Sequence, residues 1–166
     1  MTAYFCRIES AVGPLTATVD EAGRLVRLAF ADELAAAPPG AVEDAARCAA
    51  VVAQVREYLD GARREFDLEL APPGTPFQRR VWEELMRIPY GATISYRELA
   101  RRVGNPAATR AVARANATNP IPIVVPCHRV IGSDGTLTGY GGGLPRKRYL
   151  LALEGAAAAE QPSLFA

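Results

Sequence analysis

The chain has 166 residues, 49% of them hydrophobic, which suits one ordinary domain or two small ones with a real core. No apolar run approaches the roughly 20 residues of a membrane helix, and Met1-Thr2-Ala3-Tyr4-Phe5 lacks the basic-then-apolar pattern of a secretory signal. The net charge of +1 divides unevenly: residues 1–72 hold seven Arg and no Lys against twelve acidic residues, net −5, whereas residues 73–155 hold eleven Arg and one Lys against five acidic residues, net +7. Such asymmetry marks either a polyanion-binding half or an arginine-rich solvated surface, and charge alone leaves both open. The three cysteines, at 6, 48 and 127, are too few and too scattered for a disulfide framework and point to a reduced, cytosolic protein. With one histidine and no close cysteine pair, no structural zinc site is expected.

Three strands open the chain: Tyr4–Ile8, Leu15–Val19 and Leu25–Phe30, separated by Gly13-Pro14 and by Asp20-Glu21-Ala22-Gly23, both turn signals. Pro38-Pro39-Gly40 sits in a loop. A helix is expected from about Val42 to Leu59, with Cys48, Val52, Val55 and Leu59 on one face, so Cys48 reads as a core residue and Cys6 as strand packing. Phe66–Leu70 alternates as a further strand, and Ala71-Pro72-Pro73-Gly74 is a plausible domain boundary.

The second half is more strongly punctuated. Thr75-Pro76 is an N-cap with proline at the first helical position, leading into an apolar stripe of Phe77, Val81 and Leu85. Ser95-Tyr96-Arg97-Glu98 is a capping box opening a short helix that Gly104 closes, and Asn105-Pro106 is expected to cap the next, to about Ala117. Two short helices around a tight turn make a helix-turn-helix pattern. In the second helix Arg110 and Arg114 share a face, and Ala108, Ala111, Val112 and Ala115 make a small-residue face. Small side chains allow close approach and the arginines could meet phosphates, although an alanine-rich packing helix has the same composition. A last helix runs from about Pro145 to Leu153-Glu154-Gly155. Arg146, Lys147 and Arg148 crowd its N-terminus and Glu154 its C-terminus, both against the helix macrodipole. The basic cluster could face an anionic partner, and Glu154 could orient an imidazole.

That imidazole is His128, the only one in the chain, beside Cys127 in Pro126-Cys127-His128-Arg129-Val130. A thiol needs a base or a positive field to become a nucleophilic thiolate. Successive side chains of a strand point to opposite faces, so direct contact between the two needs a turn or a bridging water.

Asn119-Pro120-Ile121-Pro122-Ile123-Val124-Val125-Pro126-Cys127-His128-Arg129-Val130 resembles the active-site signature of the O6-alkylguanine-DNA alkyltransferases. The similarity extends to Gly91–Tyr96, Arg110-Ala111-Val112, Gly139-Tyr140, Gly142-Gly143-Leu144 and Leu153-Glu154-Gly155, covering about residues 74–155, with a weaker, architecture-level match in 1–72. The resemblance implies an α/β (α+β) chain: a small antiparallel-sheet, ribonuclease H-like domain (1–72), a helical DNA-binding and alkyl-acceptor domain with a helix-turn-helix (73–155), and a flexible tail (156–166). It implies stoichiometric repair of O6-alkylguanine, and of O4-alkylthymine, in double-stranded DNA. Cys127 would be the alkyl acceptor, His128 its activator through a water, and Glu154 the group holding His128. Asn119 would brace the active-site turn and Tyr96 would assist departure of the base. Arg110 would fill the gap left by the flipped nucleotide, with Ser95, Ala111 and Arg114 beside it on the DNA. Tyr140, Ser133 and the Val130 carbonyl match base-pocket positions. No cofactor is implied, and a monomer in the cytoplasm, on a bacterial nucleoid, is expected. The chain departs from many relatives in carrying Gly139 before the pocket tyrosine, and it lacks the ligands of a zinc site that some relatives hold.

Two rival classes stay open on the residues alone: a non-catalytic alkylated-DNA binding protein, against which Cys127 argues, and a hydrolase using Cys127, His128 and Glu154. Finally, Gln161-Pro162-Ser163-Leu164-Phe165 resembles the peptide by which bacterial DNA-handling enzymes dock on the replication sliding clamp, with Gln161, Leu164 and Phe165 as its anchors.

Overall fold

The alternating first thirty residues pair as a sheet because their turns reverse the chain at the right spacing. In a computed structural model, which describes residues 1–30 and 37–160, the chain separates into two compact units, Met1–Pro73 and Gly74–Ala166. In the first unit β1 (Tyr4–Ile8), β2 (Leu15–Val19) and β3 (Leu25–Phe30) form an antiparallel meander, and the short β4 (Val42–Glu43) adds parallel to β1, giving the order β3-β2-β1-β4. All five residues of central β2 are buried, Thr16 and Thr18 included, so both faces of the sheet are covered there.

Two expectations are corrected in this unit. The helix does not begin at Val42: α1 spans Ala49–Leu59, because Val42 and Asp44 donate their N–H groups to Ala3 and Phe5 on the edge of β1. Its buried face is Val51, Val55, Tyr58 and Leu59, one residue round from the expected stripe, with Val52 half-buried and Cys48 buried just before the helix. Residues 66–70 form no strand beyond a single bridge from Leu70 to Leu25. The Gln54 side chain takes both backbone groups of Asp67 (2.8 and 3.0 Å) and so stands in for a neighbouring strand.

In the second unit α2 (Pro76–Leu85) starts at a complete capping box between Thr75 and Gln78. It buries Val81, Trp82 and Leu85, while Phe77 is only half-buried; the Trp82 indole donates to the Ala115 carbonyl at 2.9 Å. Helix α3 (Tyr96–Val103) has Ser95 as its N-cap, but only half of the expected box forms. The Glu98 carboxylate instead grips Arg101 and Arg102 through three charge-assisted bonds (2.6–2.9 Å). Gly104 ends α3 in the left-handed conformation, as its position predicts. Helix α4 (Thr109–Ala117) begins later than expected: Asn105 closes a turn through its carbonyl to the Ala108 N–H and is not the cap.

β5 (Ile94–Ser95) pairs in parallel with β6 (Val130–Ile131), and α5 runs Leu144–Leu153. Residues 156–160, expected to open a free tail, fold back instead: Ala156 and Ala158 bury against Leu137 and Leu151, and Arg148 donates to the Ala159 carbonyl at 2.6 Å. Among the described residues no helix is long and apolar enough to cross a membrane.

Candidate active site

The segment from Asn119 to Pro126 is too rich in proline to form a helix or a central strand, so its turn is held by a side chain. The Asn119 amide accepts from the Ile121 N–H at 3.0 Å and donates to the Val125 carbonyl at 2.8 Å, while Val125 N–H donates to the Ile121 carbonyl at 2.9 Å. Within that loop Ile123 is buried at φ +76°, a left-handed conformation costly for a β-branched residue. Pro126 then leads into a 3-10 turn, Cys127–Arg129, whose three residues are all buried. At three residues per turn their side chains fan apart by about 120°, so a link between Cys127 and His128 still calls for a bridging water.

The three side chains reach different partners. His128 Nε2 lies 2.9 Å from Glu154 Oε2, as expected of a carboxylate that orients an imidazole. Arg129, to which sequence reasoning gave no role, grips the same carboxylate in bidentate fashion (2.8 and 2.7 Å) and sends its remaining Nη1 to the Ile88 carbonyl at 2.7 Å. A carboxylate held by a guanidinium stays ionised and can only accept. The neutral imidazole therefore donates from Nε2 and keeps Nδ1 as its basic nitrogen, a tautomer assigned from the network. Nδ1 is buried and has no hydrogen-bond partner among the described residues. Burial holds His128 below the ordinary imidazole range, with the charges of Arg129 and Lys147 acting the same way and Glu154 opposing. The Cys127 thiol is pushed up to about 11 by burial, against the pull of an Asn119 hydrogen bond and the Lys147 charge. The resting pair is thus a neutral thiol beside a neutral base.

Lys147 is the main surprise. Its charge and position group it with Arg146 and Arg148 as a basic cluster for an anionic partner, yet it is fully buried and donates to the carbonyls of Val130 (2.6 Å), Thr138 (2.9 Å) and Gly139 (3.2 Å). Residues 130–139 present those carbonyls to its ammonium. Burial lowers it from the usual lysine range to about 8, opposed by Cys127.

The β5–β6 ladder sets Tyr96, the residue after Ser95, beside the stretch that follows Cys127. Its hydroxyl donates to the Thr138 carbonyl at 3.1 Å; burial pushes the phenol up, and hydrogen bonding with the Thr138 and Asn116 side chains opposes the shift. The Val130 carbonyl, expected to face a base, already accepts from Lys147. Gly139 has φ +54°, a left-handed conformation that glycine adopts without steric cost. Tyr140 follows it and is half-buried; Ser133 lies exposed on the turn 132–136 and makes no hydrogen bond to these residues among those described. Arg110, Ala111 and Arg114 are exposed together on α4, whereas Val112 and Ala115 pack inward, so the expected small-residue face is split between the two sides. Gln161, Leu164 and Phe165 lie outside the described residues.

A soft nucleophile, an imidazole whose Nδ1 has no partner among the described residues and a buried cation converge here, an arrangement suited to group transfer onto sulfur. The model of the 6-O-methylguanine DNA methyltransferase DNA binding domain matches residues 76–156, and that of the family's ribonuclease-like domain matches residues 3–72. A methylated-DNA–protein-cysteine methyltransferase of Methanosarcina acetivorans is 45% identical over 153 residues, 92% of this chain and 98% of that protein. One from Mycolicibacterium paratuberculosis is 57% identical over 115 residues, 69% of this chain and 70% of that one. The crystal structure of Mycobacterium tuberculosis OGT in complex with DNA superposes with a TM-score of 0.85 at 44% identity, covering 95% of this chain and 97% of that one. With both halves matched, and a nearly full-length relative well above 30% identity, the chain belongs to the 6-O-methylguanine DNA methyltransferase family.

Proposed function

We infer that this protein repairs alkylated DNA by moving the alkyl group of O6-alkylguanine, and of O4-alkylthymine, onto its own Cys127, once per molecule. The observation that carries the reading is the buried thiol of Cys127 followed in one 3-10 turn by an imidazole whose far nitrogen is fixed on Glu154. His128 Nδ1 takes the thiol proton through a bridging water. The thiolate attacks the alkyl carbon; the S–C bond forms, the C–O bond breaks, and its electron pair leaves on the base, which Tyr96 serves as hydrogen-bond or proton donor. The balance is a thioether on Cys127 and a restored, protonated guanine.

A base stacked in a duplex must leave the helix to reach a buried thiol, at a few kcal/mol of unstacking. Exposed Arg110 and Arg114 on α4 suit phosphate contact, with Arg110 filling the vacated position and Ala111 and Ser95 close to the backbone. Asn119 braces the turn, while Tyr140, Ser133 and the Val130 carbonyl line the base pocket. Residues 73–155 carry both DNA binding and chemistry. The protein acts as a monomer in the cytoplasm, on the nucleoid. Its last residues, through Gln161, Leu164 and Phe165, dock on the replication sliding clamp; calorimetry with a peptide of residues 157–166 tests this, and no heat of binding refutes it.

Intact-protein mass after mixing with duplex DNA containing O6-methylguanine decides the main reading. One methyl group per chain, mapped to Cys127, is expected. Cys127→Ala removes the transfer but keeps duplex affinity. An unchanged mass for the native chain, or repeated turnover of an ester, overturns the reading.

A further inference from the structure

Asn116 stands on the inner side of α4, opposite the exposed Arg110, Ala111 and Arg114, and is only 5% exposed. A carboxamide is a poor choice for that place on packing grounds, because burying its polar atoms requires partners for all of them. It has partners on one side only. Nδ2 donates to the Cys127 carbonyl at 3.4 Å, and the same amide reaches the Tyr96 hydroxyl as a donor. Oδ1 is buried with no hydrogen-bond partner among the described residues. A half-satisfied buried amide is less stable than an apolar residue of the same shape.

We propose that Asn116 is a positioning residue for alkyl transfer, whose buried amide fixes the Tyr96 hydroxyl and the Cys127 backbone in one frame with the DNA-facing helix. The inference rests on the alkyl-transfer reading above. Its logic is directional. Tyr96 accepts from Asn116 and donates to the Thr138 carbonyl, so its O–H points away from α4, and each bond in such a chain polarises the next. An incoming base that offers an acceptor in place of Thr138 meets a proton already aimed outward. Donation from Asn116 also opposes the upward push that burial gives the phenol, which makes Tyr96 a better donor to the departing base. Because α4 carries Asn116 on one side and Arg110 and Arg114 on the other, a single rigid helix links the DNA backbone to the reacting groups.

The test is a double-mutant cycle read by single-turnover methyl transfer from O6-methylguanine duplex DNA. Asn116→Leu should be at least as stable as the native chain in urea and bind duplex DNA within about twofold, yet transfer about tenfold or more slowly. In a Tyr96→Phe background the same change should slow transfer by less than about twofold, because its route is gone. A native-like rate for Asn116→Leu overturns the proposal, as does an equal loss in both backgrounds, or a loss of DNA affinity that accounts for the slower rate. If the leucine variant does not fold, Asn116→Ala takes its place in the same cycle with the same criteria. Failure of the native chain to acquire a methyl group overturns the alkyl-transfer reading and this inference with it, whereas a methylated native chain indifferent to residue 116 overturns this inference alone.

Discussion

Lys147 is the only lysine in a chain with eighteen arginines, and it is the one basic residue of its cluster that points inward. An ammonium offers three donors that can diverge toward three carbonyls, whereas a planar guanidinium fork cannot. A lone lysine among arginines is therefore a signal in the sequence, although its charge invites a surface assignment. The side chain does two things at once: it ties Val130, Thr138 and Gly139 together and places a positive charge where a Cys127 thiolate would form. Its ammonium becomes neutral as pH rises through about 8. Single-turnover transfer by the native chain should accordingly fall across that range, ahead of any rise from the thiol itself, whose ionisation lies near 11. Lys147→Met should be slower by about 10²-fold at pH 7 and lack the inflection. An inflection near pH 8 that survives in Lys147→Met would assign it to another group.

At the level of elements, α4 is the piece whose two sides have different tasks. Arg110→Ala and Arg114→Ala should each weaken duplex binding and make the logarithmic salt dependence shallower by about 0.9, the increment of one phosphate contact. Fluorescence anisotropy at several salt concentrations measures both quantities; an unchanged slope would remove that arginine from the DNA. Most elements were legible because punctuation residues mark them: Thr75-Pro76, Ser95 and Gly104 bound helices where their chemistry requires. What was not legible depended on partners distant in sequence. Val42–Glu43 became a strand because β1 presents an open edge, and residues 66–70 lost theirs to the side chain of Gln54. In the site, Cys127, His128 and Glu154 were visible as motif residues, and Asn119 holds its turn. Arg129, Asn116 and Lys147 were not visible, since each reads as surface or packing until the carbonyl or carboxylate it meets is known.

For the whole molecule, the buried ionisable groups set an alkaline limit. Cys127 shifts from an ordinary 9.0 to about 11 in the folded state. Between those values the unfolded chain has released a proton that the folded chain retains, so stability falls as pH rises through this window, by at most about 3 kcal/mol. Cys6, raised to about 12, acts in the same direction, while Lys147, lowered to about 8, acts oppositely between pH 8 and 10.5. Comparing the native chain with Cys127→Ala cancels much of what they share. Urea melts at pH 8 and pH 11 should show the native chain losing about 2 kcal/mol more than the variant. Equal losses would mean that Cys127 ionises in the folded state as it does in the unfolded one.

The depth of Cys127 has one more consequence. It is 5% exposed, its thiolate is disfavoured, and the other two thiols are buried as well, Cys6 against Cys48. A thiolate attacks the peroxides and soluble disulfides that can reach it. A molecule used a single time is wasted by any such side reaction, and burial that disfavours the thiolate slows that loss. The rigid surroundings of Cys127 thus act as storage as well as machinery, preserving the protein's one equivalent of reactivity.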